Sequence, residues 1–555
     1  MNSTSPNHYL EAVLPQIPRI LSLQDRNPFS QTYGCFDRGF WLHRTSDFPS
    51  AINQMGSSIL ALVWAKKFEN NPYYQNPKIL EWCIASIRYW ASIQHGDGSF
   101  DEWYPNERGW AGPTGYLLNA MADSYALLED VFPQDLRESF FVAVAKAGRY
   151  LVDYNEEFVL ANHYVMALLP IYQAYLLTKD EYLLKGFKQK FAALETYCYD
   201  EGWCLEYDGA DIGYLSGTIS FLARLYQLWP DKRIERIVEK AIEFSSYFLY
   251  PDGFFGGAMG SRETGHFYHF GYEFWGKQFP LAAKMAEEGL KSLQAHKLVS
   301  PSTQEDHYVL YRLAEYLKAH GEYVPRPSHL PNLPFERQDF EKTFPRAGIF
   351  VKKAGSMYCV VNLARGGIVK AFDCNSKKLF FNDSGWMAKL INGKVVTSKW
   401  NDSTYQIIMQ ANKVAVGGPG HYVVMKTFTP VTMILFRFFM LVFGWQTQIA
   451  YYIKALIRKL LTVGSRPAPI GFKRTIEFNR EGLVIEDEWT LKDHARIENI
   501  YLGDEIPVRY VPQSRYFQAF ELGVKGEYLS VQDIARLNFD KKISIVRPIK
   551  FPGHS

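Results

Sequence analysis

Apolar residues recur at steps of three and four positions from Ala51 to about His320, which is the spacing of amphipathic helices. One series passes through Ile79, Cys83 and Ile87, with charged and polar residues between them. About eleven segments of this kind are joined by short turns rich in Gly, Pro and Asp. The pattern predicts an all-helical N-terminal domain.

Three of the turns share an acid, a glycine and an aromatic residue: Asp97-Gly98-Ser99-Phe100, Glu201-Gly202-Trp203 and Asp252-Gly253-Phe254. The steps between their glycines, 98 to 202 and 202 to 253, fit two units and one unit of a period of about 50 residues, or one helix hairpin per repeat. With about six such units, a closed α/α toroid is more natural than an open solenoid.

The pattern changes after the helical region. A proline-rich stretch without periodicity indicates a linker, and short β-type runs such as Met357 to Leu363 follow it. Asn392-Gly393 between apolar residues is a strong hairpin signal, and Thr475 to Phe478 alternates before a turn and a second run. We predict an α/α toroid over residues 1–329, a linker over 330–344, and an antiparallel β-sandwich over 345–555, with an apolar and basic insertion at about 429–464.

The composition is that of a folded protein, with 47% hydrophobic and 21% charged residues. A formal charge of +3 gives no reason to expect nucleic acid as a partner. Aromatic residues reach 16%, which large cores explain. A carbohydrate cleft would also use them, because flat rings cover the apolar faces of sugars.

The six cysteines form no CxxC pair and no zinc-ligand cluster, and the first residues lack a basic and apolar leader. We therefore expect a cytoplasmic protein with buried thiols and without a signal peptide. The run VTMILFRFFMLVF at 431–443 is too short to span a bilayer, and an amphipathic stretch with Lys454, Arg458 and Lys459 follows it. Either a buried strand with a covering helix or a surface hairpin in peripheral contact with the inner membrane, through 431–461, would account for it. The oligomeric state stays open.

Asn162 and His163 precede an apolar helix, where both side chains could donate hydrogen bonds to an anion favoured by the helix N-terminus. Asn is also an ordinary helix cap, which is the structural alternative. Tyr214 follows Asn162 by 52 residues, about one repeat. Equivalent positions of adjacent repeats lie on the same rim of a toroid, so we expect the three side chains to converge.

A third polar stretch follows the Asp252 turn. Arg262 could hold a substrate carboxylate in a bidentate fork, and His266 or His269 could titrate near neutral pH, with Glu273 orienting one of them. A polar loop with hydrogen-bonded histidines is the structural alternative.

Two earlier stretches add substrate-binding candidates. Arg38 combines with aromatic residues ahead of the first strong helix, and Trp103 and Tyr104 do so at a repeat turn. Acids near these turns, such as Asp97, Asp101, Glu102 and Asp211, could serve a glycoside hydrolase, which needs a general acid and a second carboxylate.

On these residues the chain resembles the heparinase II/III-like group of polysaccharide lyases, which join an α/α toroid to an antiparallel β-sandwich. Asn162-His163 looks like the family's Asn-His pair, and Tyr214 looks like its catalytic tyrosine. Residues 366–386 look like the first sandwich motif, but the family's His-x-His-x-Asp element has no histidine here. Lys370, or His266 or His269 from the toroid, would fill that role.

The resemblance implies β-elimination on a uronic acid within an acidic polysaccharide or oligosaccharide, without metal or organic cofactor. The missing leader and the stretch 431–461 suggest work on surface-polysaccharide precursors or imported fragments. Asn162, with His163 or Arg262, would neutralise the carboxylate, and Tyr214 would remove the C5 proton, protonate the leaving oxygen, or do both. A glycoside hydrolase on the same toroid and a non-catalytic carbohydrate-binding or assembly protein at the membrane are the alternatives.

Overall fold

The computed structural model describes residues 5–108, 111–154, 161–423, 427–458, 466–479, 481–503, 522 and 526–551. Its first part is helical. The helices are α1 Asn7–Val13, α2 Ile17–Leu23, α3 Arg38–Trp41, α4 Gly56–Ala65, α5 Pro77–Ser92, α6 Ala111–Leu128, α7 Gln134–Asp153, α8 Ala161–Thr178, α9 Glu181–Tyr197, α10 Ile212–Leu228, α11 Lys232–Ser246, α12 His269–Trp275, α13 Pro280–Gln294 and α14 Asp306–Glu322. A two-stranded ribbon, β1 Leu205–Glu206 and β2 Gly209–Ala210, lies between α9 and α10.

Alternate helices form a closed inner ring. Contacts run from α4 to α6, α8, α10, α12 and α14, and α14 returns to α4. Helices α5, α7, α9, α11 and α13 lie outside this ring, so each repeat supplies one inner and one outer helix. The predicted α/α toroid is confirmed.

The repeated turns have the same backbone geometry in all three places. Gly98, Gly202 and Gly253 have φ values of 93°, 95° and 87°, in the region that favours glycine. Each glycine N–H donates to the carbonyl three residues earlier. At Gly98 and Gly202 a Cβ would also collide with the backbone of the following outer helix. The glycine is therefore required by conformation and by space.

The second part is built from strands β3 Phe340–Phe344, β4 Ile349–Ala354, β5 Met357–Asn362, β6 Ile368–Asp373, β7 Lys378–Asp383, β8 Trp386–Leu390, β9 Val395–Thr397, β10 Gln406–Gln410, β11 Lys413–Tyr422, β12 Pro467–Phe478, β13 Gly482–Leu491, β14 Ile497–Leu502, β15 Glu527–Tyr528 and β16 Lys542–Lys550. One sheet has the order β3-β4-β5-β6-β7. The other has the order β15-β14-β8-β9-β11-β12-β13-β16, with β10 paired to β11. All of the described pairings are antiparallel, including the predicted β8–β9 and β12–β13 hairpins.

The central strands β4, β5 and β6 of the first sheet are buried on both faces. Along β5, Tyr358 and Val360 belong to the toroid core, whereas Met357, Cys359 and Val361 pack in the core between the two sheets. Successive side chains of a strand point to opposite faces, so a strand between two cores is apolar throughout. This sheet joins the toroid to the sandwich.

The stretch between the domains is packed. Strand β3 begins at Phe340, inside the segment 330–344 for which we predict a linker, and Leu333 is fully buried. Just before this segment, Arg326 pairs with Glu273 of α12 at 2.6 Å. The connection is therefore fixed to the toroid and is not a free tether.

The predicted insertion forms two helices, α15 Pro430–Phe443 and α16 Thr447–Arg458, and a further helix, α17 Val531–Asp540, precedes β16. The interpretation of 431–443 as a buried strand is wrong, because the segment is helical and most of its apolar side chains are exposed. Residues 459–464 of the predicted insertion lie outside the described residues. No helix in the described parts of the chain is long and apolar enough to cross a membrane.

The cysteines differ from the expectation of thiols alone. Cys198 and Cys204 form a disulfide across the turn before β1, and the remaining four cysteines are free. The cysteines therefore give no support to a reducing compartment.

Candidate functional site

Asp211 holds together the two segments that carry the main candidate residues. It caps α10 by accepting from the Tyr214 N–H at 3.1 Å, and it accepts from the Arg262 N–H at 2.9 Å and from the Thr264 hydroxyl. Asp211 is buried, and burial raises its pKa, whereas these hydrogen bonds lower it. We expect Asp211 from the sequence only as a glycosidase acid, but an Asp three residues before Tyr214 is also a helix-cap pattern.

Arg262 and Tyr214 face one another across Tyr207. The Arg262 guanidinium lies 4.4 Å from the centre of the Tyr207 ring, and that ring lies 6.2 Å from the Tyr214 ring. Arg262 is only 8% exposed, its Nε has no hydrogen-bond partner, and it forms no ion pair among the described residues. A buried cation without an anion is costly, so this arrangement favours an anionic ligand.

The Tyr214 hydroxyl has no hydrogen-bond partner among the described residues, and the side chain is half-buried. Burial raises its pKa well above 10, with Tyr207, Tyr308 and Glu206 adding to the rise, whereas Arg262 lowers it. The group is therefore a neutral phenol that keeps its proton in the free protein.

Asn162 is oriented by Glu206. The Asn162 backbone N–H donates to Glu206 at 3.1 Å, and its side-chain amide donates to the other carboxylate oxygen. Both residues are buried, and Glu206 also acts on the pKa of Tyr214, so Glu206 lies between Asn162 and Tyr214 in its interactions. His163 is also buried, and it borders a small pocket together with Tyr154 and Lys190. Glu206 was not among our candidates; its contact with Asn162 is visible only in the structure.

His266 completes this rim. It stacks on Tyr308 with the ring centres 5.3 Å apart, and neither of its ring nitrogens has a hydrogen-bond partner among the described residues. Burial, and then Arg312, lower its pKa well below 6.5. The imidazole is therefore neutral and able to accept a proton.

An aromatic row continues from His266 towards solvent. Tyr308 is followed by His307, at 6.1 Å between ring centres, and then by Trp103 at 5.2 Å. Trp103 is 49% exposed, which suits the predicted contact with a sugar face.

The sandwich supports the Arg262 loop from the other side. Arg365 donates to the carbonyls of Ala258 and Gly260 and to Glu263, at 2.6 to 2.8 Å, and Lys399 lies 3.4 Å from Glu263. Asn401 donates to Asp208 at 3.1 Å. These three residues of the sandwich were not among our candidates, because nothing in their local sequence distinguishes them.

Lys370 does not take the place that we predicted. It lies on β6, and its charge acts on Asp252 of the toroid. Burial raises the pKa of Asp252 to about 6, and the charge of Lys370 opposes this rise. A histidine of the sandwich, His421, does contact the loop that carries Asn401. It is fully buried, its Nε2 lies 2.8 Å from Asp402, and its ring stacks on Trp400.

Four further candidates lie elsewhere. His269 and Glu273 are fully buried, in contact with Tyr9 and, for Glu273, with Arg326, so the structure does not bring them to the cleft. Tyr104 is covered by the α15–α16 hairpin, through Phe436 at 5.1 Å. Arg38 begins α3, and no described contact joins it to Tyr214.

The acids considered for a glycoside hydrolase have structural partners. Asp97 binds Arg108 and Ser99, Asp101 lies 2.8 Å from His95, and Glu102 accepts from Tyr311. Across the described ranges, no group of three or more His, Cys, Asp or Glu residues could hold a metal ion.

Comparison with known proteins bears directly on this rim. Residues 55–278 match the family model described as the Ulvan lyase N-terminal domain, and this range contains Asn162, His163, Tyr214, Arg262 and His266. Over these residues the chain is similar to a family of polysaccharide lyases. The resemblance found in the sequence is confirmed at that level.

Solved structures agree on the fold. Chondroitin AC lyase from Streptomyces coelicolor A3, in complex with chondroitin sulphate, superposes with a TM-score of 0.52 at 10% identity, over 89% of this chain and 67% of that chain. A tyrosine-to-alanine mutant of that lyase gives 0.50 at the same identity and coverage. Heparinase III gives 0.45 at 12% identity, over 82% of this chain and 64% of that chain, and we base no argument on it. No curated protein matches the sequence.

Proposed function

We propose that this protein is a lyase that cleaves an acidic, uronate-containing polysaccharide by β-elimination. The reaction takes place on the rim of the toroid, at Asn162, Tyr214, Arg262 and His266. The observation that carries the proposal is the buried Arg262, whose Nε has no hydrogen-bond partner among the described residues, close to Tyr214 through their shared contact with Tyr207. Support comes from the ulvan lyase match over 55–278 and from a fold shared with a lyase in complex with chondroitin sulphate.

In this reaction the C5 proton leaves, a C4=C5 double bond forms, and the bond from C4 to the glycosidic oxygen breaks. The proton is poorly acidic while the adjacent carboxylate is charged. Arg262 and the Asn162 amide would bind that carboxylate and stabilise the charge that develops on it. Glu206 holds the amide in place, and the low exposure of Arg262 strengthens the interaction.

Tyr214 and His266 divide the two proton transfers in this scheme. A neutral tyrosine can protonate the leaving oxygen, and a neutral imidazole can take the C5 proton. A bound carboxylate would raise the depressed pKa of His266 towards the working pH, because an opposite charge favours the protonated ring. The substrate itself would then activate its base.

The test is a comparison of Tyr214→Phe with the wild type on a panel that includes ulvan, chondroitin sulphate and heparin. New absorbance near the ultraviolet edge reports the double bond, which hydrolysis does not produce. We expect the variant to lose about 10²- to 10⁴-fold in kcat, the usual share of a general acid.

Tyr528→Phe is the matched control, since Tyr528 lies on β15 and is 67% exposed. It should leave kcat unchanged. Full activity of Tyr214→Phe, or reducing ends without ultraviolet absorbance, would eliminate this mechanism.

A further inference from the structure

The α15–α16 hairpin has two different faces. Its inner face packs on the toroid rim through Met440 and Ala450, which are fully buried beside Tyr104. The Asn106 amide donates to the Met440 carbonyl at 3.1 Å, and Lys454 pairs with Glu107. The inner face therefore fixes the hairpin to the toroid.

The outer face is apolar and uncovered. Its large side chains are between 39% and 69% exposed, and they belong to Val431, Met433, Ile434, Leu435, Phe438, Leu441, Val442, Phe443, Trp445 and Tyr452. Single exposed apolar residues are ordinary on a protein surface, but a continuous helical face of this kind marks a contact site. We call this set the outer face of the hairpin.

The charge around this face has one sign. Residues 427–458 contain no acid, and the sequence has no Asp or Glu from Ser403 to Ile476. Two cations of the hairpin meet acids of the toroid: Arg437 lies 3.6 Å from Asp47, and Lys454 pairs with Glu107. Arg466, at the base of the hairpin, is exposed. An apolar surface without acids and with an exposed arginine at its base does not repel anionic lipid headgroups and can attract them.

The dimensions also fit a bilayer surface. Helix α15 has 14 residues, so it is about 21 Å long, shorter than the roughly 30 Å core of a bilayer. Trp445 at the turn and Tyr452 on α16 are both exposed, and such rings prefer the boundary between headgroups and acyl chains. A helix of this length can lie in the interfacial region of a bilayer but is too short to span its hydrocarbon core.

We propose that the outer face of the hairpin inserts into the interfacial region of an anionic phospholipid bilayer and holds the protein there as a peripheral membrane protein. The partner is lipid, independent of the reaction proposed for the cleft. Because Tyr104 is buried under the hairpin and Trp103 is the next residue along the rim, binding would place the mouth of the cleft close to the membrane surface.

Flotation of the full chain with vesicles tests the proposal. We expect binding to mixed phosphatidylcholine and phosphatidylglycerol vesicles and about 5-fold weaker binding to phosphatidylcholine alone, since Arg466 adds an exposed cation and the hairpin carries no acid. The triple variant Ile434→Ser, Phe438→Ser, Leu441→Ser should lose at least about 10-fold in partitioning, because each substitution removes an apolar side chain from the inserted face.

A matched control replaces three apolar residues of similar exposure on the sandwich: Ile391→Ser, Ile408→Ser and Val546→Ser. This control should float like the wild type, and both triple variants should keep the wild-type melting temperature. Absence of flotation by the wild type, or equal flotation of the hairpin variant, would overturn the proposal. Equal binding to both vesicle types would overturn the assignment to an anionic surface.

Light scattering after size-exclusion chromatography separates lipid from a second copy of the chain. If the wild type forms a dimer without lipid and the hairpin variant is monomeric, while neither floats, the outer face is a protein interface. That result would replace our proposal.

Discussion

Two clusters of buried polar side chains come from one stretch of chain, residues 262–273, and they differ in how their charges are satisfied. Arg262 and His266 lie on the rim with a guanidinium Nε and two ring nitrogens that lack partners in the described parts of the chain. Glu273, a few residues later, accepts from Tyr9 at 2.7 Å and pairs with Arg326 at 2.6 Å. His269 makes edge-on contacts with the aromatic rings of Tyr9 and Phe267.

The comparison shows that burial alone does not mark a functional residue. The interior cluster joins α1, α12 and the segment after α14, and its charges stabilise the closure of the ring. The rim cluster contains a cation that the fold leaves without an anion, at a cost in stability. Substitutions should therefore reduce stability in one cluster and activity in the other.

The largest effect on folding should come from Arg326→Met. This change leaves Glu273 buried without its cation, and we expect the free energy of unfolding to fall by about 3–5 kcal/mol. Urea denaturation followed by circular dichroism measures it. A loss below about 1 kcal/mol would mean that the ion pair of Glu273 and Arg326 does not stabilise the closure of the ring.

The largest effect on turnover within the comparison should come from Arg262→Met. We expect kcat to fall by about 10²- to 10³-fold through the loss of charge stabilisation in the transition state. The melting temperature should stay the same or rise, because the variant removes an unpaired buried charge. Destabilisation comparable to that of Arg326→Met would contradict the contrast between the two clusters.

A smaller effect concerns the pH dependence of stability. Burial lowers the pKa of both His266 and His269 below the unfolded value of about 6.5. The unfolded chain then binds more protons between the folded and unfolded pKa values, so each histidine makes the free energy of unfolding fall as pH drops below about 6.5, by at most about 1.4 kcal/mol per pH unit.

The variants His266→Phe and His269→Phe should each reduce this slope in melts recorded from pH 7 to pH 5. Only His266→Phe should also abolish the acidic limb of the kcat profile, since His269 does not reach the cleft. A change of the kcat profile in His269→Phe alone would reverse our assignment of the two histidines.

Much of the architecture was predictable because it depends on local rules. Helical periodicity, the recurring glycine turns and the Asn392-Gly393 hairpin each follow from backbone sterics or side-chain spacing within a few residues. The period also placed Asn162 and Tyr214 on one rim, because equivalent positions of adjacent repeats face the same way.

The finer assignments failed where contacts are distant in sequence. His266 and His269 have similar neighbours, and only the packing of α1 and the residues after α14 makes one a core residue. Tyr104 looked like a sugar contact, but a hairpin more than 300 residues later covers it. The disulfide partner of Cys198 was equally unpredictable, because spacing alone does not select a pair.

The sequence by itself determined the repeated helices, the change to antiparallel strands, and the chemistry available on the toroid rim. Local energetics decides these features, through the periodicity of burial and the conformations that glycine permits. Only the tertiary structure decided which polar groups find partners. It left Arg262 without an anion, paired Glu273 with Arg326, and exposed one face of the α15–α16 hairpin. Whether a buried polar group finds a partner depends on which distant parts of the chain come within hydrogen-bond distance of it.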